Sequence, residues 1–366
     1  MERISAENYK ANLRPEIALL LGCARLGLTS AERDRIMLLL ETELDWTYLL
    51  KLASGHGLLP LLYRHLNALA PEAIPKAIFI ELWGRYESTS RRNHALAKEL
   101  LNILQMLDAS GIPAIAYKGP TLAAAIYGDL ALREFGDLDI LLRRQDVLPA
   151  KNLLQANGYV PEYGLKPAVE AAFLRSSMQY HLVMVGGNCA VMVELHWKTD
   201  ADFPVEPEAD NQWWANLGFA SFGEGKVRCF AIEELLLILC LHGTKHAWGS
   251  LGWLVDVAEL IRQHPDLNWE WITRKAAQLT CARRLMVGLY LAHHLLDTPL
   301  PEDIRNRFEG AAEVRKIADK ILATPFHSES DGMSTFGRLR FNLSLYERPR
   351  QKFTHCINVV LAPSLI

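Results

Sequence analysis

The chain has 366 residues, of which 50% are hydrophobic and 22% charged, and its formal net charge is −3. A chain of this length exceeds the usual limit for one hydrophobic core, so we expect two or three packed units and not a disordered protein. A broad nucleic-acid surface normally needs a strong excess of basic residues. The small negative charge therefore favours small-molecule or protein partners and disfavours an extended nucleic acid.

Cysteine spacing and hydropathy bear on where the protein resides. The six cysteines are scattered without paired spacing, which indicates reduced thiols in a cytoplasm and neither a disulfide framework nor a zinc site. Residues 1–15 are polar and mixed in charge, unlike a signal peptide, and the most apolar run, 235–241, is too short to cross a bilayer. We therefore expect a cytoplasmic protein with no membrane partner.

Apolar residues recur every three or four positions through the first third of the chain, which predicts helices there. The predicted helices cover residues 16–26, 45–53, 58–69, 77–86 and 91–109. A further helix is predicted to begin at its cap, Ser30. The pattern then changes to short apolar runs typical of strands. Predicted strands cover 112–117, 137–142, 179–185 and 189–197, with helices at 121–127 and 146–157. Gly186-Gly187-Asn188 is the expected turn between the last two strands.

The chain returns to helical period after an acidic, proline-containing linker at residues 200–210. Helices are predicted over 232–242, 251–262 and 269–297, and residues beyond 338 give no clear pattern. These elements predict an α+β fold, with a small mixed sheet between N- and C-terminal helical regions. We expect three parts in chain order: a helical region at 1–88, a core at 89–200 and a helical domain at 201–366.

Two aspartates separated by one residue, Asp137 and Asp139, stand at the start of a predicted strand. Side chains alternate faces along a strand, so both carboxylates point the same way and repel each other unless a cation lies between them. The strand that contains Glu194 can lie beside this one and bring a third carboxylate to the same face. Three such carboxylates favour two Mg²⁺ ions, or Mn²⁺ in their place. The alternative is an ordinary solvated strand start.

Lys118-Gly119 ends one predicted strand and opens a helix, where free backbone N–H groups bind anions and a glycine allows close approach. Thr121 adds a hydroxyl, whereas Pro120 removes one donor. The alternative is a plain strand-to-helix turn, since no Walker motif is present. Arg133, in the loop before the aspartates, either pairs with a nucleotide phosphate or supports Asp137 or Asp139 as a structural salt bridge.

His242, Lys245 and His246 share one helix end, and the histidines have the i, i+4 spacing that places them on one face. This spacing occurs in zinc sites, but the inner glutamate of a metalloprotease is absent. With Trp253 nearby, one interpretation is a cationic and aromatic wall that grips a triphosphate or a base. The alternative is a packed helix pair with satisfied polar groups.

Several blocks of the chain resemble the nucleotidyltransferase superfamily of DNA polymerase β and the aminoglycoside nucleotidyltransferases. They resemble more closely a group of bacterial uncharacterised nucleotidyltransferase proteins. The resemblance covers roughly residues 90–260 and rests on Tyr117-Lys-Gly119, Tyr127, Arg133, Gly136-Asp-Leu-Asp139, Glu194-Leu-His-Trp197, Leu241-His-Gly-Thr-Lys-His246 and Trp253-Leu-Val-Asp256.

The resemblance implies a role for each matching residue. The glycine turn at Gly119 would hold nucleotide phosphates, and Asp137, Asp139 and Glu194 would hold the metal ions. Two departures are visible. Pro120 stands where the superfamily commonly has serine, and the third carboxylate is the longer glutamate.

These patterns favour a Mg²⁺-dependent nucleotidyltransferase that moves a nucleoside monophosphate from an NTP, most simply ATP, to a hydroxyl of a small molecule or protein. Lys118, Arg133 and Lys245 would face the leaving pyrophosphate. One alternative is an inactive nucleotide-binding or scaffolding module on the same fold. Another is a metal hydrolase built on His196, His242 and His246. Because the carboxylates repel one another, Asp139→Asn is expected to abolish transfer and leave the fold as stable or slightly more so.

Overall fold

A computed structural model of the chain describes residues 13–176, 179, 181–187, 191–199, 214, 217–323, 335–349 and 352–353. The predicted linker at 200–210 and Asn188 of the predicted turn lie outside these residues. The described residues divide into two compact units. The first comprises those up to Ser90, Ala131–Glu134 and those of Leu236–Arg348. The second comprises Arg91–Leu130 and those of Phe135–Leu235 and Pro349–Ile366. The division into three parts in chain order stays a prediction.

From residue 13 onward, the first third of the chain is largely helical, as its hydrophobic period predicts. Its helices are α1 (Pro15–Cys23), α2 (Ser30–Leu40), α3 (Trp46–Gly55), α4 (Leu59–Leu69) and α5 (Lys76–Ala109). The prediction of two helices between 77 and 109 was wrong, because α5 is one helix of 34 residues. The polar segment 87–90 has weak helix propensity but contains neither glycine nor proline, so nothing there ends the helix.

The residue that caps α2 also differs from the prediction. Thr29, and not Ser30, is the N-cap residue, and Ser30 is the first residue of the helix. The Thr29 hydroxyl accepts a hydrogen bond from the Glu32 N–H, and the Glu32 carboxylate accepts one from the Thr29 N–H. This reciprocal pair is a capping box, which satisfies two backbone donors at the helix start.

A five-stranded mixed sheet forms the centre of the second unit. Its strands are β1 (Ala114–Ala116), β2 (Asp137–Leu142), β3 (Val160–Pro161), β4 (His181–Gly186) and β5 (Val191–His196). They lie in the order β1-β2-β5-β4-β3. β2 and β5 are parallel, and the other neighbouring strands are antiparallel. The expected α+β fold with a small mixed sheet is confirmed.

Helices pack against this sheet and share its hydrophobic core. They are α6 (Gly119–Leu122), continued by a π-helix at Ala123–Tyr127, then α7 (Val147–Ala156) and α8 (Pro167–Arg175). The core joins the inner face of α5 to apolar residues of β2, β5 and α7, such as Ile103, Leu138, Val193 and Leu154. The start of β2 is therefore anchored in a packed core.

A second, two-stranded sheet follows in the same unit. β6 (Leu217–Phe222) pairs antiparallel with β7 (Gly225–Phe230), and β7 lies next to β1. The sequence analysis did not predict this hairpin. Its turn contains Gly223, whose φ of +55° lies in the left-handed region that glycine adopts without strain.

The remaining helices are α9 (Ile232–Lys245), α10 (Leu251–Gln263), α11 (Trp269–Gln278), α12 (Ala282–Leu296), α13 (Glu302–Glu309), α14 (Ala312–Ala323) and α15 (Thr335–Leu345). The predicted helix at 269–297 is two helices, because the chain turns at Thr280, which has a φ of +54°. Among the described helices, no stretch combines the length and apolar character that crossing a membrane requires.

Candidate functional site

The register of the central sheet places two of the expected carboxylates side by side. Asp139 of β2 is the direct partner of Glu194 on the parallel strand β5. Asp137 stands two residues before Asp139, so its side chain leaves the same face of the strand. Asp139 is 3% exposed, and the Glu194 side chain is 20% exposed. The face of the sheet therefore gathers three acidic side chains at the start of β2.

Two basic groups contact these carboxylates. Lys118 Nζ lies 3.0 Å from Asp139 Oδ1. His196, which follows Glu194 by two residues on β5, points its Nε2 between two acids. That nitrogen is 3.1 Å from Asp139 Oδ1 and 3.0 Å from Glu194 Oε2. The acids are thus compensated by an ammonium and an imidazole within the same cluster.

The compensation appears in the pKa values of all four groups. Burial alone would raise the pKa of Asp139, but Lys118 and His196 outweigh it and hold that pKa well below its ordinary range. The same competition lowers the pKa of Glu194, with His196 as the opposing group. Burial disfavours the charged forms of His196 and Lys118, yet the carboxylates raise the pKa of both. The cluster is therefore most stable with its acids ionised and its bases protonated.

A glycine turn fixes the position of Lys118. Gly119 has a φ of +52°, and a Cβ there would stand 3.1 Å from the Asp137 carbonyl oxygen. Only glycine allows this close approach without strain, so the turn packs directly against the start of β2. Lys118 precedes α6, a helix of four residues, and Thr121 within that helix is 2% exposed. The predicted phosphate-binding roles of Lys118, Gly119 and Thr121 stay predictions.

The sequence analysis missed one member of this cluster, His181. The β4–β5 register pairs His181 with His196, and their ring centroids lie 5.1 Å apart. His181 Nε2 is 4.0 Å from Glu194 Oε1. The turn expected at Gly186-Gly187-Asn188 would pair Val185 with Cys189 and therefore His181 with Val193, three residues from its observed partner His196. The sequence therefore carried no signal that would have placed His181 beside His196.

Arg133 lies in the first unit and has a partner that neither sequence interpretation named. Its guanidinium makes two hydrogen bonds to Asp256 of α10, from Nε to Oδ1 at 2.8 Å and from Nη2 to Oδ2 at 2.9 Å. The Asp256 side chain is 2% exposed, so this is a buried, bidentate ion pair. The contact gives Arg133 a role within the first unit, and its role toward a nucleotide stays a prediction.

The histidines at the end of α9 also belong to the first unit. The rings of His242 and His246 are 4.8 Å apart, and each centroid lies 5.1 Å from the ring of Trp253. Lys245 is half-buried beside them in the chain. The backbone N–H of Trp248 donates a hydrogen bond to the Gly243 carbonyl at 2.7 Å, which fixes the end of the helix. The three rings form an aromatic cluster, and its predicted contact with a nucleotide is not decided by these distances.

The carboxylates in the second unit have the donor chemistry of a divalent-cation site, and their predicted role as metal ligands stays a prediction. Mg²⁺ prefers oxygen ligands, and Asp137, Asp139 and Glu194 supply them from one face of two adjacent strands. Asp139 stays ionised although it is buried, because cations lie against it. The positions of Lys118 and His196 mark the places where this face stabilises positive charge.

Comparisons with known proteins identify the family of the chain. A family model described as "Uncharacterised nucleotidyltransferase" matches residues 42–297 of the chain. No curated protein matches it. Among solved structures, the chain is similar to an antigenic nucleotidyltransferase-like protein from Paracoccidioides brasiliensis, with 17% sequence identity and a TM-score of 0.35. That match covers 57% of this chain and 95% of the other. At so low a TM-score the structural likeness adds nothing to the family match.

Proposed function

Because the chain belongs to the uncharacterised nucleotidyltransferase family, we propose that it is a Mg²⁺-dependent enzyme that transfers a nucleoside monophosphate from an NTP to an acceptor hydroxyl. The family membership gives the general reaction of nucleotidyl transfer. The main support for a working site is the register pair of Asp139 and Glu194, with Asp137 on the same face. ATP is the simplest donor, and the acceptor is a small molecule or a protein.

In the proposed reaction, the acceptor oxygen forms a bond to the α-phosphorus of the NTP. The bond from that phosphorus to the oxygen that bridges to the β-phosphate breaks, and pyrophosphate leaves with the electron pair. Asp137, Asp139 and Glu194 would hold Mg²⁺, which when bound neutralises the triphosphate and acidifies the acceptor hydroxyl. Glu194, whose side chain is 20% exposed, would accept the hydroxyl proton.

The remaining residues of the proposal bind and orient the nucleotide. Lys118 carries a positive charge beside Asp139, so it is the first candidate to meet a phosphate at that face. Gly119 leaves room for close approach of the phosphate to the backbone. The nucleotide contacts of Lys245, His242 and His246 stay predictions from the sequence. Such positioning lowers the barrier without any covalent intermediate on the protein.

One observation favours a second candidate, an inactive nucleotide-binding or scaffolding module. In an inactive site, acidic side chains that repel one another destabilise the fold unless positively charged groups compensate their charge. Lys118 and His196 provide such compensation within the chain, so the fold can keep Asp139 and Glu194 without a metal ion. The hydrolase alternative has less support, because the His242–His246 spacing lacks the inner glutamate of a metalloprotease.

Transfer of label from α-³²P-ATP tests the proposal. The purified protein is incubated with Mg²⁺ and a pool of cell-extract metabolites and proteins, and we expect labelled products together with pyrophosphate. Asp137→Asn should lose this transfer, whereas Asp108→Asn, the same change at an exposed position of α5, should keep it. Calorimetry with Mg²⁺ and ATP separates the candidates. Binding without transfer supports the inactive module, and no binding contradicts both.

A further inference from the structure

A second kind of ligand set lies on the β4–β5 hairpin, beside the carboxylates. His181, Glu194 and His196 each offer one ligand atom, and these atoms all lie within 4.8 Å of one another. We propose that these three residues form a transition-metal site that binds Zn²⁺ in the absence of nucleotide. This site goes beyond the proposed nucleotidyl transfer, with which it shares only Glu194.

The chemistry of the donors separates this set from the all-oxygen set of Asp137, Asp139 and Glu194. Imidazole nitrogens bind Zn²⁺ and other transition metals well, whereas Mg²⁺ prefers oxygen. Two histidines and one glutamate are also the donor set of zinc sites that keep a fourth position for water or substrate. The hairpin therefore presents a zinc-type set next to a magnesium-type set.

The distances suit a tetrahedral ion. Ligands at about 2.0–2.1 Å from zinc lie about 3.3 Å from one another. His196 Nε2 is 3.0 Å from Glu194 Oε2, and His181 Nε2 is 4.0 Å from Glu194 Oε1. These two distances run to different oxygens of Glu194, and one ligand atom from each of the three residues lies within 4.8 Å of the others. Side-chain rotations that bring these atoms to about 3.3 Å from one another complete the site, and the strand register already aligns His181 with His196.

Exposure provides a route for the ion. The side chains of His181 and Glu194 are 23% and 20% exposed, while His196 is 2% exposed. A metal ion can thus arrive at the two outer ligands and complete its shell with the inner one. His196 Nε2 gives up its proton when it binds the ion, because coordination uses the lone pair. The ion then supplies the positive charge that Asp139 and Glu194 previously received from the imidazole.

Equilibrium dialysis of the full chain against Zn²⁺ alone, after EDTA treatment and without an affinity tag, tests this site. We expect one ion per chain, and Co²⁺ in its place should give the intense visible bands of four-coordinate cobalt. Loss of an outer-shell partner weakens metal binding about 10–100-fold, so loss of a ligand in His181→Ala should weaken it at least about a hundredfold. His94→Ala, at an exposed position of α5, is the matched control and should bind as the wild type does.

Retention of wild-type Zn²⁺ affinity by His181→Ala would overturn the site. If that variant does not fold, the Co²⁺ spectrum of the wild-type protein decides. Intense bands support the site, and the weak bands of six-coordinate cobalt overturn it. Asp137→Asn separates this inference from the proposed function. It should keep Zn²⁺ binding and lose binding of ATP with Mg²⁺, so each property can fail without the other.

Discussion

Asp139→Asn is the most informative substitution, because the sequence and the structure predict opposite effects on stability. From the sequence, relief of repulsion among the acids predicts a fold that is unchanged or slightly more stable. In the structure, Asp139 Oδ1 accepts hydrogen bonds from Lys118 Nζ at 3.0 Å and from His196 Nε2 at 3.1 Å. Asparagine keeps the shape of the side chain but removes the charge that both bases contact. We therefore expect the variant to be less stable and to lose nucleotidyl transfer.

The size of the expected loss in stability follows from the burial of the Asp139 side chain and its partners. Removal of one partner of a buried ion pair costs about 3–5 kcal/mol, because the remaining charge loses its compensation. The Asp139 side chain is 2% exposed, but that of Lys118 is 15% exposed and can be partly hydrated. His196 also keeps Glu194 Oε2 at 3.0 Å. We therefore expect about 3 kcal/mol, at the lower end of that range. In a unit of roughly 150–250 residues this lowers Tm by about 6–12 °C.

Thermal unfolding followed by circular dichroism, with EDTA present, measures this change. Hydrogen exchange of the backbone amides in β2 and β5 shows whether the loss is centred on the site. Asp108→Asn is the control in the same unit, and it should change the free energy of unfolding by less than about 0.5 kcal/mol. A Tm for Asp139→Asn equal to or above the wild-type value would refute the reasoning, because repulsion among the acids would then exceed their attraction to the bases.

Three further predictions concern other parts of the molecule. Gly119→Ala should destabilise the fold by about 1–2 kcal/mol or more in urea denaturation. The alanine side chain would be strained at a left-handed φ and would lie 3.1 Å from the Asp137 carbonyl oxygen. An unchanged urea midpoint would contradict this prediction. Burial lowers the pKa of His56 from 6.5 to about 4, so stability should be full above about pH 6.5 and fall by up to about 3 kcal/mol as the pH drops to 4. His56→Asn should flatten this slope, since a neutral amide can still accept from the Leu251 N–H, and an equal slope in the variant would exclude His56. Lys245→Ala should weaken triphosphate binding by about 1.5–3 kcal/mol and monophosphate binding much less in calorimetry, whereas equal losses would place the ammonium away from the distal phosphates.

Local patterns predicted the elements whose signals are local. The predicted strand at 137–142 has the bounds of β2, because an apolar run follows the two aspartates without interruption. The predicted break between two helices at 87–90 failed for the converse reason. Serine and threonine lower helix propensity only slightly, and the packing of a long amphipathic helix exceeds that cost.

Contacts between distant residues explain most of what the sequence did not specify. Arg133 and Asp256 are 123 residues apart, and nothing in either neighbourhood names the other as its partner. Lys118 and His196 were visible in the sequence, but the contact of His196 with Asp139 depends on the parallel pairing of β2 with β5, and Lys118 follows β1, which pairs antiparallel with β2. The repulsion inferred from the acids alone therefore omitted the two bases that the fold brings to them.

The two proposed ligand sets differ in how far apart their members lie along the chain, and this difference predicts the order in which they assemble. His181, Glu194 and His196 share one hairpin of adjacent strands, whereas His196 and Asp139 are 57 residues apart. Closure of a long loop costs more entropy than closure of a short one, so β4–β5 is expected to form before β2 joins it. Pulse-labelled hydrogen exchange during refolding should detect protection in β4 and β5 first, and earlier protection of β2 would reverse the order. The refolding chain would then form a nitrogen-rich metal ligand set before Asp139 joins it, so zinc present during refolding would act as a template for the sheet.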